Sequence, residues 1–326
     1  MPKLDRFQNV LILALVIQNT ATVLVGRHTR TSKTDSDDLY DVNQFLLVSE
    51  CGKLVFSLLL ECWVSDMHLV ESINTHMLQT PVDALKMAVP AATYLVSNAL
   101  LYVALSNLTV PVYQVVCQGK LVITAAVSVV MLKRWYSPQQ WSCLFFISCG
   151  VGVIATEGNV GNKKKEDDIN MILGLSSLTL SCLLSSFASV YFEKILKKRE
   201  TTNKKKEPSL WMRNIQLSFF SIILACCTCA AVPNSGKLPL YGFNRWVWAQ
   251  VALFGVGGLL VAGVIKYADN VMKGMATATS IVLATILSVF IFDTNLTMRF
   301  FLGAVMVLPS VYLYSNPCEV QVRDES

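Results

Sequence analysis

The sequence predicts an all-α integral membrane protein, ten transmembrane helices arranged as two inverted five-helix repeats. The repeats cover residues 1–157 and 158–326 and form one compact membrane domain. Three observations predict it. The chain is 53% hydrophobic and 15% charged, with a mean hydropathy of +0.50, which is too apolar for a soluble globular domain. It divides into ten apolar stretches, each near the length of about 20 residues that spans a bilayer. Two of them, the fourth and the ninth, carry the same Lys-x-x-x-Thr pattern at an offset of five segments.

The elements follow in order. Phe7–Val25 is not a cleavable signal, because it contains Gln8, Asn9, Gln18 and Asn19 and no small-residue cleavage site follows. Phe45–Val64 contains Glu50 and Lys53, i,i+3 neighbours that fit either a self-neutralising ion pair or a gating or proton-coupling pair. Ala84–Leu105 sets Tyr94, Asn98 and Tyr102 on one face, and Val112–Leu132 carries Lys120 and Thr124 behind Tyr113-Gln114. Trp141–Thr156 completes the first half. Ile172–Leu196 bears Ser181, Ser185 and Ser189, and Leu210–Val232 bears Asn214, Ser218 and Ser221. Arg213 either snorkels to headgroups or orients the Asn214 face. Val247–Ile265 uses Gly255, Gly257, Gly258 and Gly263 for close helix packing. Met275–Phe292 follows Lys273, and Phe300–Tyr314 is the last span.

A lysine at membrane depth costs about 3 kcal/mol on insertion scales, so two of them at corresponding places call for a function. Tyr113, Cys117, Lys120, Thr124 and Ser128 share one helix face, as do Lys273, Thr277, Ser280 and Ser288. Two readings of such stripes stay open: a water-filled cavity, or hydroxyl contacts that bind helix to helix. A full charge is not needed for the second. A five-helix unit has an odd number of spans, so its copy inserts upside down and the binding site falls between the halves.

An even number of spans puts both termini on one side. Lys3 and Arg6 share it with Lys194, Lys197, Lys198, Arg199, Lys204, Lys205 and Lys206, which makes that side cytosolic. Lys163, Lys164 and Lys165 oppose this from the other side, beside Glu166, Asp167 and Asp168. The net charge of +5 is modest and the basic block lacks interleaved aromatics, so no nucleic acid is expected. The ten cysteines lie in or beside apolar stretches and read as small apolar fillers. His28, His68 and His76 are expected in loops, without ligand spacing. No nucleophile elbow, phosphate-binding glycine loop, metal set or cofactor motif is present, which argues against an enzyme. The sequons at Asn107 and Asn295 sit in very short loops, and neither is expected to carry a glycan.

Four stretches carry a resemblance: VALSNLTVPVYQVVCQGKLVITA, SSFASVYFEKILK, SLWMRNIQL and VIKYADNVMKGMATATSIVLATILS. In this order they resemble the nucleotide-sugar transporters of the drug/metabolite transporter superfamily. The similar branch carries UDP-galactose, UDP-N-acetylglucosamine and CMP-sialic acid. The resemblance implies a Golgi or ER membrane and exchange of a cytosolic nucleotide sugar for a lumenal nucleoside monophosphate. It implies that Lys120 and Lys273 hold the phosphates and that Tyr113, Gln114 and Asn214 lie near the nucleotide. By the same resemblance Ser185 corresponds to a cavity-lining serine of the sixth helix, and Asn98 to a polar residue of the third. Thr277 and Ser280 join the set from their stripe. Ser218, Ala268 and the Thr277–Ile281 run side with UDP-sugar carriers; CMP-sialate is the alternative. Gly119 replaces the more common leucine before the first lysine. A membrane transferase or a scaffold remain the rival classes, and homo-oligomerisation stays open.

Overall fold

The computed structural model describes residues 2–31, 40–155, 170–197, 208–231, 240–292 and 297–316. Thirteen α-helices and one π turn follow in order. They are α1 (Pro2–Thr31), α2 (Val42–Val64), α3 (Leu69–Ile73), the π turn (Asn74–Leu78), α4 (Pro81–Leu85), α5 (Ala88–Asn107) and α6 (Val110–Gln118). After these come α7 (Lys120–Leu132), α8 (Pro138–Ala155), α9 (Met171–Lys197), α10 (Leu210–Ala231), α11 (Arg245–Tyr267), α12 (Asn270–Phe292) and α13 (Met298–Ser315). All ten predicted stretches fall on helices, with α6 and α7 forming one span. Among the described residues, nine spans are long and apolar enough to cross a membrane. The remaining long helix is α2, whose 23 residues include Glu50, Lys53 and Glu61. This is an all-α, multi-pass membrane protein. The basic runs at 163–165 and 204–206 and the sequon asparagine at 295 lie outside the described residues.

Local chemistry sets the helix ends. The Asp41 carboxylate accepts from the Asn43 N–H at 2.8 Å and caps α2. Asn244 Oδ1 accepts from the N–H groups of Trp246 and Val247 at 3.0 Å and caps α11. Pro81 and Pro138 open α4 and α8, where a missing N–H costs nothing. Of the histidines expected in loops, His28 lies inside α1, whose helix continues past the apolar stretch to Thr31, and His76 lies inside the π turn.

The main helix contacts trace a ring: α1, α11, α2, α10, α5, α9, α6–α7 and α12, closed by a thinner contact between α7 and α12. The α8–α13 pair stands outside it, braced against α6–α7 and α12. Around the ring, the long helices of α1–α8 and those of α9–α13 alternate without exception. Moving each partner five spans along the chain turns α5–α9 into α1–α11, α2–α11 into α5–α10, and α1–α12 into α7–α9.

Small residues permit the tightest approaches. A Cβ on Gly150 would lie 2.8 Å from the Gly303 carbonyl oxygen, and one on Gly303 would lie 2.6 Å from the Gly150 carbonyl oxygen. The α8–α13 backbones therefore touch, as small-residue membrane interfaces do. The apolar cluster around them joins Leu144, Ile147, Val151, Met275 and Val307.

Candidate functional site

The two lysine motifs are built alike. Thr124 Oγ1 donates to the Lys120 carbonyl at 2.7 Å, and Thr277 Oγ1 donates to the Lys273 carbonyl at 3.1 Å. Each lysine thus sits one turn before a threonine that bonds back to it. Lys120 starts α7 after an interruption: the Gly119 N–H turns back to the Val116 carbonyl at 3.0 Å. A Cβ on Gly119 would lie 3.1 Å from that oxygen, so glycine eases the tightened turn. Next to Lys273, Gly274 brings α12 against α7, where a Cβ would lie 2.4 Å from Leu121 Cδ1.

The Lys120 and Lys273 ammonium groups lie within electrostatic reach of each other. Neither makes an ion pair with a carboxylate among the described residues. The Lys120 side chain is exposed, and α7 packs in the ring between α9 and α12. Two like charges within reach of each other on apolar helices can attract and hold an anion; they repel one another without it.

Around Lys120 the structure gathers Tyr113, Cys117 and Cys182. Tyr113 hydrogen-bonds Cys117, and Tyr102 lies close by. Ser185 is buried and donates to the Cys182 carbonyl at 3.2 Å. Thr277 is exposed and accepts from Asn19 Nδ2 at 3.4 Å, which adds α1 to the group. Asn98 is exposed in a cleft of about 680 Å³ between α2, α5 and α10, together with Tyr94, Tyr102, Glu50, Lys53 and Ser221.

Other expected residues stand apart. Ser280 is buried, donates to the Thr277 carbonyl at 2.7 Å and gives its own carbonyl to Thr20, so its side chain packs rather than lines. Asn214 is buried on α10. Its Nδ2, Ser218 Oγ and Gln114 Oε1 lack hydrogen-bond partners among the described residues. Part of the serine face of α9 is helix glue: Ser97 and Ser181 exchange hydroxyl-to-carbonyl bonds of 3.0 and 2.8 Å, and Ser186 meets Thr124 at 2.9 Å. Glu50 and Lys53 form an ion pair at 2.6 Å. Gly258 makes room for the lysine stem, since a Cβ there would lie 2.6 Å from Lys53 Cδ. Arg213 pairs with Asp83 at 2.7 Å and donates to Gln216 Oε1 at 3.1 Å.

One polar cluster escaped the sequence reading. Glu193 on α9 is fully buried and holds Arg134, beyond the end of α7, at 2.5 Å and Lys197 at 2.8 Å. Asn270 Nδ2 donates to Glu193 Oε2 and to the Ser189 carbonyl, each at 2.8 Å, and Asp269 lies 3.5 Å from Arg134. Lys197 also donates to the Ala268 carbonyl. A carboxylate inside an apolar stretch was the available signal. Because spans alternate in direction, this network joins α7, α9 and α12 on the face where α1 begins. The cleft that holds Asn98 instead runs to Asp41 and Thr228, on the opposite face.

Comparison with known proteins closes the description. The nucleotide-sugar transporter family profile matches residues 3–315. The Rattus norvegicus UDP-N-acetylglucosamine transporter is 38% identical over 313 residues, covering 92% of each chain. The Mus musculus UDP-galactose translocator is 38% identical over 320 residues, covering 96% of this chain and 79% of its own. The Caenorhabditis elegans UDP-galactose/UDP-N-acetylglucosamine transporter is 34% identical, covering 95% and 82%. A solved crystal structure with 11% identity shares the fold at a TM-score of 0.66, over 95% of this chain and 96% of its own.

Proposed function

This chain belongs to the nucleotide-sugar transporter family, and we propose that it moves a UDP-sugar from cytosol to Golgi lumen in exchange for UMP by alternating access. As a member of a transporter family it is a carrier, not an enzyme. The cargo is UDP-galactose or a UDP-N-acetylhexosamine, by the names of its relatives. The observation that carries the reading is the pair of lysines, Lys120 and Lys273, without a carboxylate partner among the described residues and within reach of each other on α7 and α12, the two helices that close the ring.

A UDP-sugar brings about two negative charges, and UMP about 1.5–2 near neutral pH. Either balances two ammonium groups. The unloaded pair repels itself, so the carrier reorients poorly without cargo, and exchange is favoured over one-way flow. Tyr113, Gln114, Ser185, Thr277 and Asn98 supply neutral hydrogen bonds for base and sugar. Asn214 and Gln114, each with an unpartnered amide atom, are the candidates for the base edge. The Ser280 hydroxyl is spent on the Thr277 carbonyl of its own helix, and Thr20 of α1 donates to the Ser280 carbonyl.

Alternating access is supported by polarity in the fold. The Glu193 network ties three helix ends together on one face while the cleft reaches the other. The inverted-repeat reading is supported by the ring, whose partners exchange under the five-span offset. Placing the termini in the cytosol makes the networked face cytosolic.

Proteoliposomes preloaded with UMP test the proposal. External UDP-galactose or UDP-N-acetylglucosamine should enter only when UMP is inside. Lys120→Ala or Lys273→Ala should abolish exchange, since each lost charge-assisted contact weakens binding roughly 10- to 150-fold. Uptake that ignores the internal nucleotide would refute exchange; normal uptake by either variant would refute the lysine site.

A further inference from the structure

The networked face holds a second cavity, of about 910 Å³, apart from the lysine site. Its walls come from the π turn, α4, the end of α9, the start of α10 and the end of α11. Four basic side chains line it, Lys86, Lys194, Arg213 and Lys266, against a single carboxylate, Asp83. That carboxylate is already shared, with Lys86 Nζ and Arg213 Nη2 both at 2.7 Å. Lys194 and Lys266 make no ion pair among the described residues; the Lys266 ammonium lies 5.7 Å from the Tyr267 ring centroid. Among the described residues the cavity therefore carries an uncompensated positive charge, spread over α9, α10, α11 and the segment that leads into α5.

Its depth in the membrane follows from its neighbours. The α3–α4 segment joins two spans, and Val70, Leu78 and Val82 on it are 82%, 73% and 75% exposed. Apolar side chains so bare on short helices at the end of a bundle lie in the bilayer interface. The cavity opens beside them, at headgroup level. Lysines clustered there recognise phosphate, whose oxygens accept several charge-assisted bonds at once.

We propose that this cavity is a second anion site, which takes a phosphate group at the membrane surface and is distinct from the cargo site. A bound phosphate would bridge Lys194 of α9, Arg213 of α10 and Lys266 of α11, and would clamp the networked face. The site does not rest on the identity of the cargo; only the name of the compartment it faces does.

Two probes with the same phosphate chemistry separate the sources: phosphatidic acid in the bilayer and glycerophosphate in solution. The full chain, with Lys120→Ala and Lys273→Ala to silence the central lysines, is placed in phosphatidylcholine nanodiscs and its thermal unfolding is followed. A saturable rise in Tm is expected. Lys194→Gln with Lys266→Gln should weaken the apparent affinity at least about tenfold, and Lys194→Arg with Lys266→Arg should keep it. A response to phosphatidic acid alone assigns a lipid headgroup, and a response to glycerophosphate a soluble phosphate. No rise beyond phosphatidylcholine and glycerol controls would overturn the proposal, as would an unchanged response in the glutamine variant.

Discussion

Glu193→Gln separates the role of the networked face from that of the proposed cargo site. Glu193 is wholly buried and holds Arg134, Lys197 and Asn270. Arg134 and Lys197 are 24% and 30% exposed, so neither is rescued by full solvation when the charge goes. Removing one partner from a buried pair costs about 3–5 kcal/mol. Asp269, 3.5 Å from Arg134, takes up part of the lost attraction, which puts the cost near the lower bound. Under the proposed alternating access the network is made with this face closed, and losing about 3 kcal/mol there shifts the balance of states roughly a hundredfold towards its opening. The lysines are untouched, so equilibrium UMP binding should stay within about threefold while the exchange rate falls more than about tenfold, because one half of the cycle has lost its resting state. Binding is read on purified protein and exchange in proteoliposomes. A full exchange rate, or an affinity loss equal to the rate loss, would refute the reasoning.

Three further outcomes are expected. UMP should compete with the cargo better than CMP or GMP, and Asn214→Ala should narrow that preference, because a polar site left unpaired by the wrong base discriminates strongly; equal inhibition by CMP and UMP would remove the basis for a UDP-sugar. Gly303→Val should destabilise by about 1–3 kcal/mol or more through overpacking, since a Cβ there lies 2.5 Å from Ile154 Cγ1. Gly263→Ala, whose Cβ meets nothing nearer than 3.7 Å, should leave Tm unchanged and serves as its control. Tags at both ends of the chain should be reached by protease on the cytosolic side of sealed vesicles, and protection of either would sink the topology.

The helices were legible because each must satisfy its backbone inside an apolar segment of fixed length, and that leaves a plain mark in composition. Lys120 and Lys273 were legible because a charge is conspicuous against leucine and valine. Hydroxyl residues were not, since a serine can bond its own helix, a neighbour or a ligand at the same spacing. Ser181 and Ser280 turned out to pack, although the pattern that contains them also contains Ser185 and Thr277. Arg213 and Asp83 are 130 residues apart, and no periodicity on either helix announces the other. Glu193 was visible as a charge in α9, but its partners come from three separate helix ends, and only the fold assembles them.

The alternation around the ring has a consequence for how the molecule is made. Each of its first-half helices finds its main neighbours in the second half: α5 waits for α9 and α10, α2 for α10 and α11, α1 for α11 and α12. A ribosome that has delivered the first five spans has placed in the bilayer a set of helices with few partners, among them Glu50, Lys53 and Lys120. The bundle can close only as the later spans arrive and slot between the earlier ones. Synthesised as two separate pieces, the halves should be degraded alone and recover together, as the teeth of a zip hold only when both rows are present.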